Sequence, residues 1–189
     1  MSSHHIVREK QEPALLLLGL SNFSAELLGQ LLEWSPTVIT IPFVAEQLNA
    51  FEIKIDFIVS DELNEDLQSD IKLIHPQGAS MIEAAMKYLM KHDYQAVNVV
   101  ADDVDLQALA VFADKINVVI YTGNKKTYAV SSGFSKWKPA GEIIRILSVY
   151  LNLQFSGLSQ LDEKTFITTK DGFIRLNFDG DLIFIAEDI

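Results

Sequence analysis

Two short groups of carboxylates stand where chemistry is commonly done. Asp61 closes the run Ile53-Lys54-Ile55-Asp56-Phe57-Ile58-Val59-Ser60-Asp61, whose apolar core suits a central strand. In an open α/β sheet the crevice beyond the carboxyl ends of the strands is where ligands bind, so Asp61 is placed to meet one. Asp102, Asp103 and Asp105 follow a second apolar run ending at Ala101. Converging carboxylates hold a divalent cation or draw in a cationic ligand. The same residue types also begin helices, where one caps the chain and the others favour the dipole, and both readings are open for this triplet. Ser80, three residues ahead of Glu83, is either a ligand-facing hydroxyl or the first half of a capping box. Trp137 presents a flat aromatic face that suits stacking on a ligand as well as packing at a junction.

The elements that must position these residues alternate in the first two thirds of the chain. Strands are expected at 14–18, 37–41, 57–59, 72–75, 97–101 and 117–121, with helices at 25–34, 44–51, 62–69, 80–91 and 104–112 between them. On the helix from Ser80, residues Met81, Ala84, Ala85, Tyr88 and Leu89 recur on one face. Such alternation predicts a three-layer α/β/α domain around a mostly parallel sheet over residues 13–124, preceded by a flexible leader over 1–12. After Tyr121 the pattern shifts to short strands between glycine and aspartate turns. Strands are expected at 127–130, 143–150, 151–155, 166–169, 173–177 and 182–185, with hairpin turns at Asp171-Gly172 and Asp179-Gly180. A small β-sandwich over residues 125–189 is the fold they imply.

Composition narrows the function. An apolar fraction of 49% in 189 residues supports a core that buries about two thirds of the unfolded surface. A formal charge of -11 with scattered Lys and Arg argues against a nucleic-acid surface and against anionic membranes, and suits a cationic ligand if the acids converge. Ala14 to Leu20 falls short of the about 18 apolar residues that a bilayer span requires. No secretory pattern precedes it, so a cytoplasmic protein is expected. Without cysteine there are no disulfides, thiolate metal sites or thiol nucleophiles. His4 and His5 fall in the polar leader, and His75 and His92 have no evident co-ligands. No phosphate loop, dinucleotide fingerprint, nucleophile elbow or H-E-x-x-H motif is present. Gly19, Ser21 and Asn22 follow the first strand, either offering amides and hydroxyls to a phosphate or simply turning the chain.

The segment Ile53 to Asp61 resembles the thiamine pyrophosphokinase family, whose run reads approximately I-K-P-D-Y-I-I-G-D-F-D-S. Asp56 and Asp61 match its aspartates, and Leu63 replaces an acid. The likeness extends to His75-Pro76, to the helix from Glu83 to Leu89, to Phe134-Ser135-Lys136-Trp137-Lys138-Pro139-Ala140-Gly141 and to Gly157-Leu158. It implies transfer of a diphosphate from magnesium ATP to thiamine, in a homodimer. By this resemblance Asp61 and Asp105 become catalytic and metal-binding, while Asp56, Ser80, Asp103 and Trp137 become cofactor- or ligand-binding. Other motif positions differ. The family's D-G-G-A becomes Pro42-Phe43-Val44-Ala45, its K-D-x-T-D becomes Gln77-Gly78-Ala79-Ser80-Met81, and its G-G-R-x-D-H becomes Ala101-Asp102-Asp103-Val104-Asp105-Leu106. Asp103 in the arginine's place exchanges attraction for repulsion toward a phosphate, where one charge pair near a protein surface is worth about 4 kcal/mol. Two readings follow: a diphosphotransferase working with a rebuilt set of acids, and a non-catalytic protein on the same fold that binds thiamine or a related cation.

Overall fold

The computed structural model describes residues 12–62 and 70–189. The leader, His4, His5, Leu63 and the helix expected over 62–69 therefore lie outside the described residues, Glu12 and Glu62 excepted. The chain divides into two compact units at Val118 and Val119. This division falls ahead of the Gly123-Asn124 turn where the sequence analysis placed it.

The first unit runs β1 (Ala14–Leu17), α1 (Ala25–Leu32), β2 (Val38–Thr40), α2 (Pro42–Ala50), β3 (Phe57–Val59), β4 (Lys72–Ile74), α3 (Met81–Lys91), β5 (Ala96–Val100) and α4 (Leu106–Ala110). Its strands lie in the order β4-β3-β2-β1-β5, all parallel. The expected parallel alternation is thus present. All four residues of β1 are fully buried, which is why that strand reads as an unbroken apolar run rather than an alternating one.

Local chemistry starts each helix. The Ser24 hydroxyl accepts from the Leu27 amide at 3.4 Å and the Ser80 hydroxyl from the Glu83 amide at 3.2 Å. Glu83 pairs with Lys87 one turn on, at 2.7 Å. The second helix begins at Pro42, two residues before the expected start, because proline's fixed φ and missing amide suit a first helical turn. On α3 the buried residues are Ala84, Ala85, Met86 and Leu89, whereas Met81 is exposed. Tyr88 stacks between Phe57 and His92, with ring centroids 4.8 and 4.2 Å away.

The second unit begins within β6 (Asn117–Thr122). It comprises β7 (Lys125–Ser131), β8 (Phe134–Lys138), β9 (Ile143–Ile146), β10 (Leu151–Ser156), β11 (Leu158–Gln160), β12 (Thr165–Thr168), β13 (Gly172–Asp179) and β14 (Leu182–Asp188). One antiparallel array has the order β11-β12-β9-β14-β7-β6 and a separate sheet the order β10-β13-β8. Val130, Ile144, Phe166 and Ile185 from the first meet Ile174, Leu176 and Phe178 from the second in one apolar cluster. A separate antiparallel sheet is thus present beside the larger one, and two of the expected local features differ. Asp171-Gly172 and Asp179-Gly180 are not hairpin turns, because each joins strands of different sheets. The strand expected over 143–150 stops at Ile146, after which the Ser148 hydroxyl accepts from the Phe184 amide at 2.8 Å.

One part of the sandwich interior is charged. Glu187 of β14 receives the Tyr128 hydroxyl and the ammoniums of Lys136, at 3.1 and 3.2 Å, and Lys138, at 2.9 Å. Lys138 also meets Glu142 at 2.6 Å. Burial opposes ionisation of Glu187, but the hydrogen bonds from Tyr128, Lys138 and Lys136 together outweigh it and hold the carboxyl below its ordinary value. A carboxyl depressed on folding contributes stability above its unfolded pKa, and that contribution is lost as pH falls through the folded one. In acid titrations followed by denaturant unfolding, Glu187→Gln should accordingly be less stable than the parent at neutral pH, with the difference shrinking toward low pH.

Glycine supplies a second test. Gly157 has φ 76°, and a Cβ there would lie 2.7 Å from the Phe173 carbonyl oxygen. Gly157→Ala should cost about 1–3 kcal/mol in chemical denaturation. Gly29 inside α1 has open space around it, so Gly29→Ala should add roughly 0.5–1 kcal/mol.

Candidate functional site

The strand order locates the crevice. From β1 the chain steps to β2, β3 and β4 on one side, then returns to place β5 on the other side of β1, so the loops after β1 and β5 flank the topological switch point. Those loops are tied together. The Leu18 amide donates to the Val100 carbonyl at 2.8 Å, extending the strand pairing past Leu17. Next, the Ser21 hydroxyl donates to Asp102 Oδ2 at 2.8 Å and the Asn22 amide to Asp102 Oδ1 at 3.3 Å. A Cβ at Gly19 would fall 2.6 Å from Asp102 Oδ2 and 2.8 Å from the Asp102 amide, so only glycine fits. The crevice between these two loops is thus bridged by an aspartate, with the amide and hydroxyl that a phosphate would use already engaged.

The neighbouring acids turn toward their own backbone. Asp103 Oδ1 accepts from the Val104 amide at 2.8 Å, and Asp105 caps α4 by accepting from the Gln107 amide at 2.8 Å. Asp61, just beyond the carboxyl end of β3, has a side chain 75% exposed and lies 3.8 Å from His75 Nδ1. At that exposure water screens the pair. In the altered motif Pro42-Phe43-Val44-Ala45, Val44 and Ala45 are fully buried in α2 and Phe43 is exposed.

Asp56 lies elsewhere. It precedes β3 and sits at the amino edge of the sheet, accepting from the Val38 amide at 2.9 Å and from Lys54 Nζ at 2.8 Å. There it helps line a cavity of about 410 Å³ with Ser35, Thr37, Val38 and Lys54. Asp56 and Asp61 therefore occupy opposite ends of one strand. Ser80 caps α3, as above. Trp137 belongs to the second unit, on the outward face of β8, 53% exposed and directly across from Phe173 of β13, which is 64% exposed.

Asp61, Asp103 and Asp105 are not grouped as a three-ligand metal site among the described residues, and neither are any other three His, Asp or Glu side chains. A polyphosphate with its magnesium needs free carboxylate oxygens aimed at one point, and Asp103 and Asp105 each direct an oxygen at a local amide instead. The described residues do not fit the group that the resemblance implies. Sequence reasoning did not assign Ser21 and Asn22 to Asp102, because the partners are about 80 residues apart and meet only once β1 and β5 pair. No helix among the described residues is long and apolar enough to cross a membrane.

No protein-family model matches the chain, and no curated protein sequence does. Solved structures do. A probable thiamine pyrophosphokinase from Staphylococcus saprophyticus superposes with a TM-score of 0.67 at 14% identity, over 93% of this chain and 98% of that one. Thiamin pyrophosphokinase from Candida albicans gives 0.68 at 12% identity, over 94% and 90%. Thiamine pyrophosphokinase from Bacillus subtilis gives 0.65 at 9% identity, over 93% and 98%. At such identities the likeness concerns the fold, and the conclusion is that this chain carries the thiamine pyrophosphokinase fold in a strongly diverged sequence.

Proposed function

We propose that the chain is a thiamine pyrophosphokinase-like protein that does not transfer diphosphate and instead binds thiamine or a related cation. The observation that carries this reading is the bridge from Asp102 to Ser21 and Asn22 across the switch point. A polyphosphate entering there would have to displace a carboxylate of its own sign. Phosphoryl transfer relies on positioning and charge neutralisation by groups acting together, so losing several of them removes turnover while the scaffold persists. Support for a retained cationic ligand comes from the formal charge of -11 and the exposed aromatic face of Trp137. Homodimerisation belongs to the same reading by resemblance, beside the cytoplasmic setting expected from the sequence.

The test is thiamine-dependent AMP release from magnesium ATP by concentrated protein, beside Asp61→Ala. Equal background in both is expected; turnover that Asp61→Ala abolishes would restore the diphosphotransferase. Calorimetry should detect thiamine binding that Trp137→Ala weakens several-fold, and no heat of binding would end the ligand half of the proposal. Asp102→Ala should release the loop after β1, costing about 1 kcal/mol of local stability, read as roughly fivefold faster amide exchange at Asn22.

A further inference from the structure

A second cavity adjoins the one that Asp56 lines at the amino edge of the parallel sheet. Its volume is about 570 Å³, and the two share Ser35, Thr37, Lys54 and Asp56. Their remaining walls differ in kind. The first adds Leu32, Pro36, Val38 and Ile53, the second Phe57, Asp70, Lys72 and Tyr94. An apolar pouch and a charged one thus share a wall, at the end of the sheet away from Asp61 and Asp102. Two ammoniums and two carboxylates line the charged part, so a ligand of either net charge meets repulsion there and a zwitterion does not. The Asp56 side chain is 24% exposed, and one of its oxygens is tied to the Val38 amide. The other holds Lys54 Nζ at 2.8 Å, but the Lys54 side chain is 80% exposed and such a pair is weak in water. The protein's own ammonium therefore marks where a ligand's ammonium would sit. Lys72 forms no ion pair among the described residues, and its Nζ stands 5.7 Å from the Phe57 ring centroid. The Lys72 amide donates to the Asp56 carbonyl at 3.0 Å, which makes the two residues neighbours across adjacent strands. Thr37 and Tyr94 add hydroxyls 2.8 Å apart.

We infer that this double cavity binds a free α-amino acid with an apolar side chain. The ligand's ammonium replaces that of Lys54 on Asp56. Its carboxylate meets Lys72 beside the Thr37 and Tyr94 hydroxyls, and its side chain fills the pouch of Leu32, Pro36, Val38 and Ile53. Cavities that hold small molecules are of this size and combine apolar walls with a few placed polar groups. No bond is made or broken. The site lies apart from the switch-point crevice and does not depend on the thiamine reading.

Calorimetric titration of the full chain with leucine tests this, beside leucinamide, isocaproate and glycine, which lack its carboxylate, its ammonium and its side chain in turn. Leucine should bind, and each of the three several-fold more weakly. Lys72→Gln should weaken leucine roughly tenfold, the effect of losing a charged hydrogen bond, and remove its advantage over leucinamide. Lys54→Ala should strengthen leucine several-fold, because the competing ammonium is gone; a merely structural lysine would not behave so. Asp56→Asn, which keeps an acceptor for the Val38 amide and is checked for folding by circular dichroism, should remove the advantage of leucine over isocaproate. Thiamine should not compete with leucine, so failure of the thiamine reading and failure of this one are read separately. No heat with leucine for both the parent and Lys54→Ala, or equal affinity for leucine and leucinamide, would overturn the proposal.

Discussion

The first unit depends on the burial of β1. Ala14 to Leu17 are inaccessible on both faces and flanked by parallel neighbours, β2 and β5. A strand placed so leaves its following loop no direction but along the loop that leaves β5. That adjacency brings Gly19 against Asp102 and lets one carboxylate gather a hydroxyl and an amide from 80 residues away. In sheets of this order the same position is where a ligand gains most from backbone donors. Here the protein itself supplies the anion, and the two loops hold each other.

The second unit solves a different problem. Its interior is apolar from Val130 to Phe178 but carries a buried glutamate among lysines and a tyrosine. A buried carboxylate is tolerated when its lone pairs are filled, and Glu187 has three donor residues for them. Burial, followed by the Glu187 hydrogen bond and charge, raises the Tyr128 pKa above the ordinary tyrosine range, so the hydroxyl keeps the proton it donates. Such a network stabilises little beyond an apolar replacement, yet it demands one register of β14 against β7, since a slip of one residue would bury Asp188 among the same groups.

The parallel alternation was legible because β1 and β3 are short, apolar and bounded by turn residues, and α3 by its cap at Ser80. Spacing placed Met81 on the packed face of α3 and omitted Met86, whereas Met81 is exposed and Met86 buried, because packing against the sheet decides between them. In the second unit β8 escaped notice as a strand because its inward positions carry Lys136 and Lys138, which a reading by polarity takes for surface. The Asp-Gly pairs mark where the chain passes from one sheet to the other rather than hairpin turns, as turn chemistry is local and sheet assignment is not. Among the candidate acids, Asp61 was placed where its strand predicted. The destinations of Asp102, Asp103 and Asp105 depended on backbone amides whose directions no residue pattern records.

The position of β14 bears on how the molecule is made. This strand lies between β7 and β9, yet in chain order it is the last of the unit. While a ribosome is still extending the chain toward Leu182, β7 and β9 each present an unpaired edge, and the cavity that Ile183 and Ile185 will fill stays open. Exposed edges of that kind are templates for pairing with another nascent chain. The lysines at 125 and 126 place like charges on the β7 edge during the interval. Chains made side by side therefore repel where they would otherwise cohere, until their own β14 arrives.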